Sequence, residues 1–255
     1  MTHHVLKRAA EYPLLILPEW ANIEPELRKS LLEYANNGGS LLIIGPVAAA
    51  HFKKELRVQL IGKPEEKSRW LAHDGWLGLL QSVTQEVKLL NGATAFGKLH
   101  ENDDFITPST IAASIAPYGK GKISASYINL GERYRKAATP TARRFLDGLV
   151  RKLFPRPLVE VRGSQWVDVT LNRLNDRQLI NLVNTAGPHA DAQVLVHDDI
   201  PPVGPLQITI RSPRKPRRIL LQPEAKSLPF QFRNGEAMLT LKSLDVHKIL
   251  EIHEE

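Results

Sequence analysis

The chain has 255 residues, 42% hydrophobic and 24% charged, the balance of a folded protein with a core and not of a disordered segment. It contains no cysteine, which excludes disulfides, thiolate-held zinc, iron–sulfur clusters and a thiol nucleophile. Lysine and arginine outnumber the acids 34 to 27, and the resulting net charge of +7 permits a polyanionic partner without requiring one.

No apolar run approaches the ~20 residues that span a bilayer, so no membrane partner is expected. The first eight positions lack the apolar stretch and cleavage site of a secretory signal, and the cytoplasm is the expected compartment. His3-His4 suits a tag remnant or a metal pair, but two solvated histidines before a helix are the preferred reading, and Thr2–Glu11 reads as a short helix entering the first strand. Tyr12–Pro18 is a short apolar run closed by proline, the pattern of a strand buried on both faces. Glu24-Pro25-Glu26 then opens a helix, with proline in its first turn and carboxylates at the positive end of the dipole. Leu27, Leu31, Leu32 and Tyr34-Ala35 recur at helical spacing, and Asn37-Gly38-Gly39 stops the helix. Ser40–Ile44 is a second apolar run. Strand, helix, strand with short links predicts a parallel sheet with a right-handed crossover. A central strand so close to the N-terminus suits a fragment, or the tail of something longer.

After Gly45-Pro46, Val47–Leu56 reads as a helix and Arg57–Gly62 as a strand. From Lys67 to Leu99 the pattern changes to short alternating runs, Arg69–His73, Val83–Leu89 and Ala93–Leu99, with turns at Asp74-Gly75 and Asn91-Gly92. Ser109–Ala116 and Lys122–Asn129 flank Tyr118-Gly119-Lys120-Gly121 as a hairpin. Thr139 is placed to cap a last helix, whose stripe is Phe145, Leu146, Leu149, Val150 and Leu153. Phe154-Pro155-Arg156-Pro157 breaks it. From Leu158 onward roughly seven to nine short strands follow at sandwich spacing, among them Gln193–Val196. The predicted organisation is therefore α/β followed by all-β: a parallel-sheet domain over 1–154, then an antiparallel β-sandwich over 155–255.

The run Tyr12–Glu19 and the helix ending Asn36-Asn37-Gly38-Gly39-Ser40-Leu41-Leu42-Ile43-Ile44-Gly45 resemble the class I glutamine amidotransferase-like fold, an incomplete flavodoxin- or Rossmann-like sheet. The closer likeness is to the trimerisation domain of β-galactosidases, whose late strand the run Tyr118–Gly131 resembles. Gln178–Gly187, Pro213–Glu224 and the ending from Leu244 are similar to the small β-domain of bacterial β-galactosidase- and α-L-fucosidase-like glycoside hydrolases. The amidotransferase resemblance implies a cysteine after the second strand and a His-Pro-Glu after the late one. Pro46, Val47 and Ala48 stand in the first place and Leu130-Gly131-Glu132 near the second. With nucleophile and base both missing, glutaminase chemistry is excluded. The resembled glycosidases carry their catalytic carboxylates on a (β/α)₈ barrel that this sequence lacks.

Ligands of open α/β sheets bind beyond the carboxyl ends of the strands, which here are Pro18-Glu19-Trp20 and Gly45–Ala48. Glu19 is placed either to accept amide hydrogen bonds or, with Glu132, to serve as a carboxylate pair of a small hydrolase. His73, Asp74 and Trp76 combine a carboxylate, an imidazole and an aromatic face, which suits a sugar contact, though Asp-Gly is also an ordinary turn. Arg211, Arg214, Lys215, Arg217 and Arg218 form the one dense basic run, a turn that would suit a polyanion; it lacks the interleaved aromatics of single-strand binders, so nucleic acid is not expected. The histidines show no metal-ligand spacing, and neither metal nor cofactor is expected. The resemblance implies a non-catalytic module for subunit contacts or carbohydrate positioning. Its partner would be a glycoside hydrolase barrel, in the same parent chain or a separate subunit, or another copy of itself.

Overall fold

The computed structural model describes residues 8–136, 139–175, 177–187 and 200–254. The chain divides into two compact units, Met1–Arg156 and Pro157–Glu255.

The first unit begins with a 3₁₀ turn, Ala9–Glu11, followed by β1 (Leu14–Leu17), α1 (Pro25–Asn36), β2 (Ser40–Ile44) and the short α2 (Pro46–Ala50). β1 and β2 pair in parallel with Leu14 opposite Ser40, the expected crossover unit. β2 is buried at all five positions because helices cover both sheet faces. Leu41 and Ile43 point into one core with Leu31 and Phe52; Leu42 and Ile44 point into another. β1 departs from expectation. It is an edge strand, and Ile16 remains 45% exposed, so a continuous apolar run here does not mean burial on two faces. α2 ends at Ala50 and does not continue to Leu56, because His51 N bonds to Ala48 O and Phe52 N to Ala49 O, tightening the chain into turns that reach left-handed Arg57.

The largest departure follows. β3 (Val58–His73) and β4 (Trp76–Leu89) form one long antiparallel hairpin closed at Asp74-Gly75, both in the left-handed region as a tight hairpin turn requires. Sequence reading broke this arm into pieces because Gly62–Ser68 is exposed and polar, so it carries no burial pattern, and a register shift lies between Ile61 and Glu65. β5 (Thr94–His100), β6 (Ser109–Tyr118) and β7 (Gly121–Ser126) complete a seven-stranded sheet of order β1-β2-β7-β6-β5-β3-β4. Only β1, β2 and β7 are parallel neighbours; the rest is antiparallel. The sheet is therefore mixed, not the parallel one expected. α3 (Leu130–Lys136) follows β7 directly, an element the sequence did not announce. α4 (Pro140–Leu153) starts where Thr139 Oγ1 accepts from Ala142 N and lays Phe145, Leu149 and Leu153 on the second core.

The second unit contains β8 (Val159–Arg162), β9 (Val167–Leu174), β10 (Arg177–Asn184), β11 (Leu206–Arg211), β12 (Arg218–Gln222), β13 (Lys226–Ser227), β14 (Gln231–Arg233), β15 (Glu236–Leu241) and β16 (His247–His253). They make two antiparallel sheets, β13-β12-β16-β10-β9 and β14-β15-β11-β8. Alternation does the sorting: Ile180, Leu182, Ile219, Leu250 and Ile252 of one sheet share a core with Ile208, Ile210 and Leu239 of the other. Buried Asn184 holds the strand end in place. Its Nδ2 reaches the carbonyls of Pro201 (2.9 Å), Leu244 (3.2 Å) and Asp245 (2.7 Å), and its Oδ1 accepts from Ala186 N. The expected strand Gln193–Val196, like His3-His4 and most of the Thr2–Glu11 helix, lies outside the described residues.

Candidate functional site

The carboxyl ends of β1, β2 and β7 converge as the crossover unit requires. Gly45, the residue after β2, has φ of 93° and bonds through its N–H to Ser126 O at the end of β7. A Cβ at this position would lie 2.6 Å from Glu19 Cγ, so the Glu19 side chain rests directly on the Gly45 backbone. Glu19 Oε1 accepts from Gly131 N at 2.7 Å, tying the loop after β1 to the first turn of α3. Burial pushes the Glu19 pKa above the ordinary carboxylate value, the Gly131 and Glu132 amides pull it back, and the charge of Glu132 adds to the rise. Beside it, Pro46 and Ala48 are buried and Val47 is exposed, an apolar start to α2 with nothing that could attack or transfer a proton.

Glu132 lies on α3 and is exposed. It accepts from Asn129 Nδ2 at 2.9 Å, and Asn129 Oδ1 in turn accepts from Val83 N at 2.8 Å on β4. A small cleft of about 100 Å³ lies here, between Gln81–Val83 and Asn129–Arg133. Glu19 and Glu132 are thus neighbours, but each is already engaged by amide hydrogens. Further along, buried Tyr127 Oη and Ser114 Oγ share a hydrogen bond of 2.5 Å, and burial raises the phenol pKa to about 12. It is held neutral, as a packing group.

The three residues considered for sugar contact lie together at the hairpin tip, with His73 and Trp76 as cross-strand partners, and each is differently engaged. His73 packs its ring on Phe96 (4.3 Å between centroids) and edge-on to Phe145 (5.9 Å), and burial lowers its pKa. Asp74 is the exposed first residue of the hairpin turn. Trp76 is exposed, yet the Arg144 guanidinium sits 3.8 Å from the centre of its ring and occupies one face. In the basic run, Arg211 is engaged: it pairs with Glu236 (2.8 Å) and Glu160 (3.2 Å) and donates to Pro157 O. Arg214, Lys215, Arg217 and Arg218 are exposed and carry no ion pair among the described residues. Also among the described residues, no group of three His, Asp or Glu is placed to hold a metal ion. No described helix is long and apolar enough to cross a membrane.

No family model matches the chain, and no curated protein matches it by sequence. Solved structures do. α-L-fucosidase isoenzyme 2 from Paenibacillus thiaminolyticus superposes with a TM-score of 0.77 at 15% identity, over 96% of this chain and 41% of that one. A GH42 β-galactosidase from G. stearothermophilus gives a TM-score of 0.61 at 16% identity, over 96% and 32%. The β-galactosidase from Bacillus circulans sp. alkalophilus gives 0.57 at 12%, over 95% and 33%. The chain thus shares its fold with part of each of these proteins and spans less than half of their length.

Proposed function

We propose that the chain is a non-catalytic module of a glycoside hydrolase of the β-galactosidase or α-fucosidase kind, serving subunit contacts or the positioning of carbohydrate. The α/β unit is read as an amidotransferase-like scaffold without its reactive triad. The observation that carries this reading is the corner at Gly45. Where a nucleophile would stand, the chain has Pro46 and Ala48 buried in the core, and the space over the turn is filled by Glu19, itself bonded to Gly131. The fold likeness to stretches of larger glycoside hydrolases supports a catalytic barrel as the partner, in one chain with this module or as a second subunit, with self-association as the other form of contact.

The test is association. Sedimentation velocity of the full chain, alone and mixed with a glycoside hydrolase barrel encoded beside it, should show an oligomer or a complex. A chain that stays monomeric in both settings contradicts the reading. A second reading, polyanion binding, has one observation in its favour: the four exposed cations Arg214, Lys215, Arg217 and Arg218, which carry no ion pair among the described residues. Heparin retention that falls steeply with added salt, and falls again in a variant with all four changed to alanine, is its expected signature. Indifference to heparin at low salt removes it.

A further inference from the structure

The outer face of the four-stranded sheet in the second unit carries a groove of about 540 Å³, within the size range of small-molecule sites. Strand register explains its lining. On β11 and β15, Gln207 stands opposite Thr240 and Thr209 opposite Met238, while Gln231 of β14 faces Met238 from the other side. Their neighbours Ile208, Ile210 and Leu239 take the opposite face and fill the core. Phe230, in the segment leading into β14, lines the groove as a half-buried aromatic.

Two properties of this lining select a ligand. First, the amide and hydroxyl groups of Gln207, Thr209, Gln231 and Thr240 make no side-chain hydrogen bond among the described residues, leaving both donors and acceptors free. Second, the groove lining contains no charged side chain. Charged side chains stand around it and not in it: Arg233 and Glu236 two positions along from Gln231 and Met238, and Glu160 and Arg162 on β8 opposite Thr209 and Gln207, these two paired with each other. The lining itself offers an anion no cation, and a purely apolar ligand would leave the amides without partners. A neutral molecule with many hydroxyls and an apolar ring face satisfies both, with its ring against Phe230 and Met238 and its hydroxyls on the glutamines and threonines.

We propose that this groove binds a neutral oligosaccharide. The assignment deepens the carbohydrate-positioning side of the module role and rests on that reading for its context, but it stands or falls on its own measurement. Saturation-transfer NMR on the full chain, with galactotriose, cellotriose and mannotriose as probes and trigalacturonate as the charged comparator, should show transfer from at least one neutral sugar. Phe230→Ala should weaken that binding roughly tenfold. Because Phe230 also touches the core, Gln207→Ala and Thr240→Ala serve as surface variants. They should weaken binding severalfold while the thermal midpoint stays that of the parent chain. Absence of transfer from every neutral sugar, preference for trigalacturonate, or binding unchanged in the surface variants overturns the proposal. Absence of transfer in a chain that still self-associates overturns the groove alone and spares the module reading.

Discussion

At the ends of β1, β2 and β7, Glu19 lies against the Gly45 backbone with its carboxylate bonded to Gly131. On the outer face of β11 and β15, Gln207, Thr209 and Thr240 hold their polar groups with no partner among the described residues. The first region is where an α/β sheet ordinarily does chemistry, and here it is closed by its own side chains. The second is an ordinary sandwich face by topology, and it is open. Polar groups that are mutually satisfied hold a structure together; polar groups left free in a groove are available to something else. The proposed module role rests on this contrast.

The closed corner can be broken most directly at Gly45. Its φ of 93° is strained for any residue with a side chain, and the new Cβ would meet Glu19. Gly45→Ala should cost about 3 kcal/mol in chemical denaturation, strain and overpacking together. Adding Glu19→Ala should return about 1 kcal/mol, the part due to the clash, as a double-mutant cycle would read it. Without any return, Glu19 is not what fills the turn. In the second unit, Asn184→Ala should cost about 2 kcal/mol, because three carbonyls lose the same donor.

A pH series sharpens the comparison further. Because the Glu19 pKa is raised in the folded chain, the folded state holds that proton more tightly than the unfolded one. Stability from this group therefore falls as pH climbs from about 4.5 through the raised value, and is recovered as pH drops again. Glu19→Gln removes the titration. The variant should gain on the parent chain as pH rises through that window, and a difference independent of pH contradicts the burial of Glu19. The smallest effect belongs to the open face. Gln207→Ala and Thr209→Val should each shift stability by no more than about 0.5 kcal/mol, since neither side chain holds anything in place.

Much of the frame was legible because it is local. Pro25 after Glu24, the stop at Gly38-Gly39 and the cap at Thr139 each act within a few residues, and they set α1, β2 and α4 where the structure has them. The alternation of Leu206–Arg211 is local too: it sends Leu206, Ile208 and Ile210 inward and makes the stretch β11. What escaped was non-local or carried no burial signal. The hairpin arm around Gly62–Ser68 is exposed, so polar residues there looked like a break. β1 carries an apolar run although it is an edge strand, since edge position depends on the rest of the sheet. The bond from Gly131 to Glu19 joins residues 112 positions apart, which no periodicity reports. Nothing in the sequence singles out Gln207, Thr209 and Thr240, and only the register of β11 against β15 gathers them into one groove.

The central claim, that the corner at Gly45 performs no chemistry, meets its most direct test in turnover. The purified full chain should release no nitrophenol from a panel of p-nitrophenyl galactosides, fucosides, glucosides and mannosides above the rate of buffer alone. Release that disappears in Glu19→Gln or Glu132→Gln would contradict it.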